Sequence, residues 1–148
     1  MVDPPRPSAA GVSPLRWADR LPTLLAWMLA AYTVVLVYAT HHPHARKLIG
    51  EGEGVPSDKS LHFFAYAVLA LLAAVTLWAW RRWTLSGLAA FIPAILAFAA
   101  LDEVTQPFFR RQADVWDWVS DAVGAMFGLA VVAVFRFFVV RRRPNGRG

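Results

Sequence analysis

The chain has 148 residues, room for one small domain, and a formal net charge of +5. With 57% hydrophobic residues and a mean hydropathy of +0.44, it is too apolar for an ordinary soluble domain of this size. The absence of cysteine excludes disulfides and thiolate metal sites. The placement of the positive charge argues for membrane orientation rather than nucleic-acid binding.

Residues 1–20, rich in Pro and small residues, are predicted to form a disordered tail. Four apolar runs follow: Leu21–Thr40, Leu61–Trp80, Leu85–Leu101 and Val119–Val140. Each is about as long as a membrane-spanning helix needs, roughly 17–25 residues, and none holds an internal cluster of charge. Strands are excluded because barrel strands alternate polar and apolar residues, and stretches such as Val68-Leu69-Ala70-Leu71-Leu72 do not. The expected fold is all-α, a polytopic bundle of four transmembrane helices over residues 21–140, with a basic tail at 141–148. The first run follows basic residues, as a signal peptide does, but it is long and no small-residue cleavage site follows, so it is expected to be retained. His41–Ser57, with Gly50, Gly52, Gly54 and Pro56, reads as an irregular loop.

Lys and Arg are unevenly distributed. The N-terminal tail, Arg81-Arg82 and the C-terminal end hold ten of them, and the other two loops hold five. The positive-inside rule then puts both termini in the cytoplasm. Eight of the ten acidic residues fall on the opposite, outer side. Trp78, Trp80 and Trp83 mark the inner interface, and Trp116 and Trp118 the outer one.

Charge at membrane depth is costly and usually has a task. Asp58-Lys59-Ser60-Leu61-His62 opens the second run. Ser57 or Asp58 is a candidate helix cap, and Asp58, His62 and Tyr66 share one helical face. A histidine transfers protons near neutral pH, and a carboxylate orients it. Asp102 and Glu103 end the third run, where the helix dipole disfavours acids, so a functional site or a buried salt bridge is expected there. Gln106 lies one turn beyond Asp102, and Pro107 is expected to stop the helix. Asp114, Asp117 and Asp121 form a stripe on the fourth helix that continues through Gly124 and Gly128. The glycine pair admits another helix closely, either within the bundle or in a homo-oligomer. Lys59, Arg110 and Arg111 supply the opposite charge. They either neutralise the acids or grip an anionic ligand, phosphate or carboxylate. No metal and no cofactor are expected, and the alternative is a hard cation such as Mg²⁺ bridging carboxylates to a pyrophosphate.

At these residues the chain resembles the VanZ-like family of small membrane proteins. The resemblance rests on Asp58-Lys59-x-x-His62-Phe63-x-x-Tyr66 and on Asp102-Glu103-x-x-Gln106-x-Phe108. Arg111-x-x-Asp114-x-x-Asp117-x-x-x-Asp121-x-x-Gly124-x-x-x-Gly128 completes it. Asp121 stands where the family often has Asn, and Thr105 where it often has His. The resemblance implies a multi-pass protein of the bacterial cytoplasmic membrane, and the family takes its name from a member linked to teicoplanin, a glycopeptide. It marks Asp58, Lys59, His62, Asp102, Glu103, Gln106, Arg111, Asp117 and Asp121 as motif positions.

Three functions are compatible with this reading. In the first, an outer polar pocket binds an anionic envelope lipid, a polyprenyl-phosphate-linked wall precursor or a glycopeptide-like ligand, with Lys59 and Arg111 on the anion. In the second, the protein is a membrane enzyme acting on lipid-linked phosphates, with His62, Asp102 and Glu103 as candidate catalytic groups. In the third, the charges lock a structural bundle. The first helix carries no motif and is expected to pack at the periphery.

Overall fold

The computed structural model describes residues 17–43 and 56–141. Residues 1–16 of the tail expected at 1–20, the loop glycines 50, 52 and 54, and residues 142–148 of the basic tail expected at 141–148 lie outside the described residues, whereas Trp17–Arg20 and Arg141 are helical. Among those described there are four α-helices and no strand: α1 (Trp17–His41), α2 (Asp58–Ala79), α3 (Leu85–Thr105) and α4 (Val115–Arg141). A 3₁₀ turn, Gln106–Phe109, extends α3. All four helices are long and apolar enough to cross a membrane.

The helices outrun the apolar runs at one end of the bundle. The second starts at Asp58 rather than Leu61, and the fourth at Val115 rather than Val119. Their extra turns carry Asp58, Lys59 and Asp117, which hydrophobicity alone does not assign to a membrane helix. Local chemistry fixes the boundaries. Ser57 caps α2, its hydroxyl accepting from the Ser60 amide at 3.1 Å. Thr84 caps α3 in the same way, accepting from the Gly87 amide at 3.1 Å. Pro107, which lacks an amide proton, coincides with the tightening of the chain into the 3₁₀ turn. Arg110 closes that turn in the left-handed region, at φ 60°.

Helix α2 is the centre of the bundle, packing chiefly against α4 and next against α1. The α2–α4 seam is tight because α4 presents glycine. A β-carbon on Gly124 would strike the Phe63 carbonyl, and one on Gly128 the Ala67 carbonyl. The close approach expected of this glycine pair is therefore spent inside the chain. Of the two uses expected for this pair, packing within the bundle is the one seen, because α2 fills that face. Leu36, Tyr66, Leu69, Ala70, Ile95, Ala99 and Ala125 form a core to which every helix contributes. The Tyr32 hydroxyl donates to the Ala65 carbonyl at 2.8 Å and ties α1 to α2. The Trp118 indole donates to the Leu96 carbonyl at 3.3 Å and ties α4 to α3. The remaining faces are apolar, with Trp27, Val34, Phe64 and Phe135 all exposed, as suits helices solvated by lipid.

This up-and-down topology gathers the buried acids, with Lys59 and Arg111, at one end and four arginines at the other. Arg81, Arg82, Arg136 and Arg141 sit at one end, with the Arg136 guanidinium 5.6 Å from the Trp83 ring centroid. The end of α1, the start of α2, the end of α3 and the start of α4 meet at the other, the acidic end.

Candidate functional site

At the acidic end, His62 is buried in the second turn of α2. Its Nδ1 lies 3.0 Å from Asp121 Oδ1 on α4 and 3.7 Å from Glu103 Oε1 on α3. Its Nε2 lies 3.9 Å from Asp117 Oδ2. One imidazole thus touches carboxylates from two helices. The helical spacing of four between Asp117 and Asp121 puts both acids on the face of α4 that meets α2.

Each carboxylate is held by further groups. The Gln106 side-chain amide donates to Glu103 Oε1 at 2.9 Å, and the Asp114 backbone amide donates to Oε2 at 3.2 Å. Lys59 Nζ donates to Asp117 Oδ1 at 2.9 Å and to Asp114 Oδ2 at 2.8 Å. Asp114 also caps α4, its Oδ1 accepting from the Trp116 amide at 2.8 Å. The Lys59 ammonium, and then that amide, hold the Asp114 carboxyl below its ordinary value. Asp58 is half-buried and faces Arg111 at 3.6 Å, a loose pair at the rim.

Helix α1 is the least buried of the four, as expected of a peripheral helix, yet its last turn completes the site. Thr40 donates to Asp102 Oδ1 at 2.9 Å. His41 Nδ1 lies 3.5 Å from the same oxygen, and His41 Nε2 shares a hydrogen bond of 2.8 Å with Thr105 Oγ1. The Phe109 ring meets His41 edge-on, centroids 4.8 Å apart. Sequence reasoning missed Thr40, His41 and Thr105. A histidine ending an apolar run was the available signal, but only the packing of α1 beside α3 gives it a partner.

The structure therefore brings together His62, Glu103, Gln106, Asp117 and Asp121, with Asp102 alongside, and leaves Asp58 and Arg111 at the rim. Four carboxylates are buried here: Asp102, Glu103, Asp117 and Asp121. Opposing them are Lys59, which also serves Asp114, and two histidines. Buried charge of one sign calls for protons or a cation. Among the described residues at this end, four buried polar atoms make no well-formed hydrogen bond: Tyr66 Oη, Asp102 Oδ2, Gln106 Oε1 and Asp121 Oδ2. An unpaired buried polar group is costly, so these atoms mark where the site is incomplete.

A family model described as VanZ/LLP1 matches residues 28–136. The chain belongs to the VanZ/LLP1 family. The match spans all the motif residues and also the part of α1 that carries Thr40 and His41. No curated protein and no solved structure matches the chain. Family membership and the four apolar helices make this a VanZ-like multi-pass membrane protein.

Beside the polar cluster, a groove of about 840 Å³ opens between α1 and α3. Its walls are apolar, with Val37, Tyr38, Phe98 and Leu101, and its head is polar, with His41, His42, Asp102 and Thr105. Asp102 thus belongs to both the groove and the cluster.

Proposed function

We propose that this VanZ/LLP1 protein binds an anionic envelope lipid, such as a polyprenyl-phosphate-linked wall precursor, in a bacterial cytoplasmic membrane. Its acidic end faces outward and both termini are cytoplasmic, in keeping with the excess of Lys and Arg on the opposite side. The observation that carries the reading is the α1–α3 groove, which is apolar along its length and polar at one end. That pattern suits an amphipathic ligand, with its hydrocarbon in the groove and its head group at the histidines. Arg111 adds an anion-binding fork on the same side, since its pairing with Asp58 is long at 3.6 Å and leaves other donors available. Lys59 has a different part: held by Asp114 and Asp117, it orders the acids rather than gripping the ligand. Sequestering a wall precursor in this way would connect the protein to envelope homeostasis and to glycopeptide susceptibility.

The test is native mass spectrometry of the detergent-purified protein. Wild type is compared with Val37→Trp, which fills the groove, with Arg111→Ala, and with Leu85→Trp at the far end as a control. A phosphate-bearing lipid adduct kept by wild type and Leu85→Trp, and lost in the other two, is the expected result. Equal lipid occupancy in all four would overturn the reading.

A further inference from the structure

We infer that His62, Glu103 and Asp121 form a binding site for a first-row divalent cation such as Zn²⁺ or Mn²⁺. One donor atom from each lies within 4.8 Å of the others, and all three residues are buried. The three come from α2, α3 and α4, so the site exists only in the folded bundle. The inference is independent of the lipid reading, because it rests on the polar cluster and not on the groove.

Three features separate this arrangement from an ordinary knot of acids. First, buried oxygens are left over: Asp121 is fully buried with Oδ2 unpartnered, and Gln106 is fully buried with Oε1 unpartnered. The amide nitrogen of Gln106 is tied to Glu103, so this second buried oxygen belongs to a side chain that borders the cluster. Second, two of the three ligands, His62 and Glu103, have neighbours outside the set of the kind that orient metal ligands. His62 turns Nδ1 toward Asp121 and Glu103, and Nε2 toward Asp117. Asp117 is in turn held by Lys59. Glu103 is tethered through both oxygens yet keeps lone pairs, since a carboxylate accepts about four hydrogen bonds. Third, among the described residues the buried carboxylates outnumber the basic groups facing them, and a divalent cation supplies the missing charge.

One imidazole nitrogen with carboxylate oxygens is a donor set for borderline to hard divalent ions. His62 Nδ1 and Asp121 Oδ1 lie 3.0 Å apart, a hydrogen-bond distance that requires a proton between them. A cation bound there displaces that proton. Asp58, His62 and Asp117 form a second set of three, but Asp117 is engaged by Lys59 and Asp58 by Arg111, so the first set is the site.

Purified protein, stripped with chelator and equilibrated with Zn²⁺ or Mn²⁺ in detergent, decides the matter by metal analysis and by the shift in melting temperature. One equivalent per chain is expected, with a rise in melting temperature. Asp121→Asn and Glu103→Gln should each weaken binding by at least about tenfold, and Asp117→Asn by roughly 10–100-fold through lost orientation. Asp58→Asn should bind like wild type. If either ligand variant fails to fold, the ligand-field spectrum of Co²⁺ on the wild type replaces it. A low-coordinate nitrogen–oxygen spectrum supports the site, and the spectrum of hydrated Co²⁺ overturns it. No binding by folded wild type would overturn the proposal in favour of a purely protonic imidazole–carboxylate network. Binding unchanged in both ligand variants, or lost in Asp58→Asn alone, would overturn the assignment of these three residues.

Discussion

Replacing Thr40 by Val tests whether α1 is part of the site. The two side chains are nearly the same size, so the change deletes a hydroxyl and little else. Thr40 Oγ1 lies 2.9 Å from Asp102 Oδ1, and His41 is the other group near that oxygen, at 3.5 Å. Asp102 Oδ2 makes no well-formed hydrogen bond, although the Tyr66 hydroxyl lies near the carboxyl, so Thr40→Val takes away the best hydrogen bond of a buried carboxylate. A hydrogen bond to a charged group contributes about 1.5–3 kcal/mol, and leaving its partner stranded costs a similar amount. The loss is offset only slightly, because the same hydroxyl also approaches the Leu36 and Val37 carbonyls, at 3.1 and 3.2 Å. Those carbonyls keep their helical partners without it. Destabilisation of about 1.5–3 kcal/mol is therefore expected, read by reversible unfolding in mixed micelles. In an Asp102→Asn background the acceptor is neutral, and the same substitution should cost only about 0.5–1.5 kcal/mol. The difference between the two backgrounds is the coupling of α1 to the acidic cluster. Equal stability of Thr40→Val and wild type would refute the claim that α1 satisfies Asp102.

Two further predictions address the seam and the rim. Gly124→Ala and Gly128→Ala each put a methyl group against an α2 carbonyl, where heavy atoms normally stay roughly 3.5 Å apart. Each should cost about 1–3 kcal/mol by overpacking, measured by the same unfolding assay, and unchanged stability would mean that the seam is looser than described. At the rim, the Asp114 carboxyl is held below its ordinary value by Lys59 and the Trp116 amide. A depressed carboxylate contributes stability that is fully present above its unfolded value of about 3.9 and is lost as pH falls through the folded value. Hydrogen-exchange protection of the Trp116 amide should hold from neutral pH to about 4, fall below that, and be low throughout in Asp114→Ala. Protection that declines already near neutral pH would contradict this.

Four helices were legible in the sequence because lipid imposes a simple demand: a run of apolar residues long enough to cross the membrane, with its backbone satisfied internally. The motif positions were legible too, because charge beside such runs is costly and helical spacing puts Asp117 and Asp121 on one face. Family membership followed from the same residues. Apolar length could not show where the helices end, since the first turns of α2 and α4 carry Asp58, Lys59 and Asp117, which pair with other side chains rather than with lipid. Nor could it show which cation serves which acid. Lys59 reaches α4 and Arg111 reaches Asp58 across gaps of about fifty residues in the chain. The glycine pair illustrates the division most clearly. Spacing announced a close helix contact, but only the tertiary structure gave the partner as α2 of the same chain. The same holds for Thr40 and His41, ordinary residues at the end of an apolar run until the packing of α1 sets them against Asp102 and Thr105. Periodicity along one helix is a local property that sequence carries by itself. The meeting of four helix ends is a property of packing, and the site is made there.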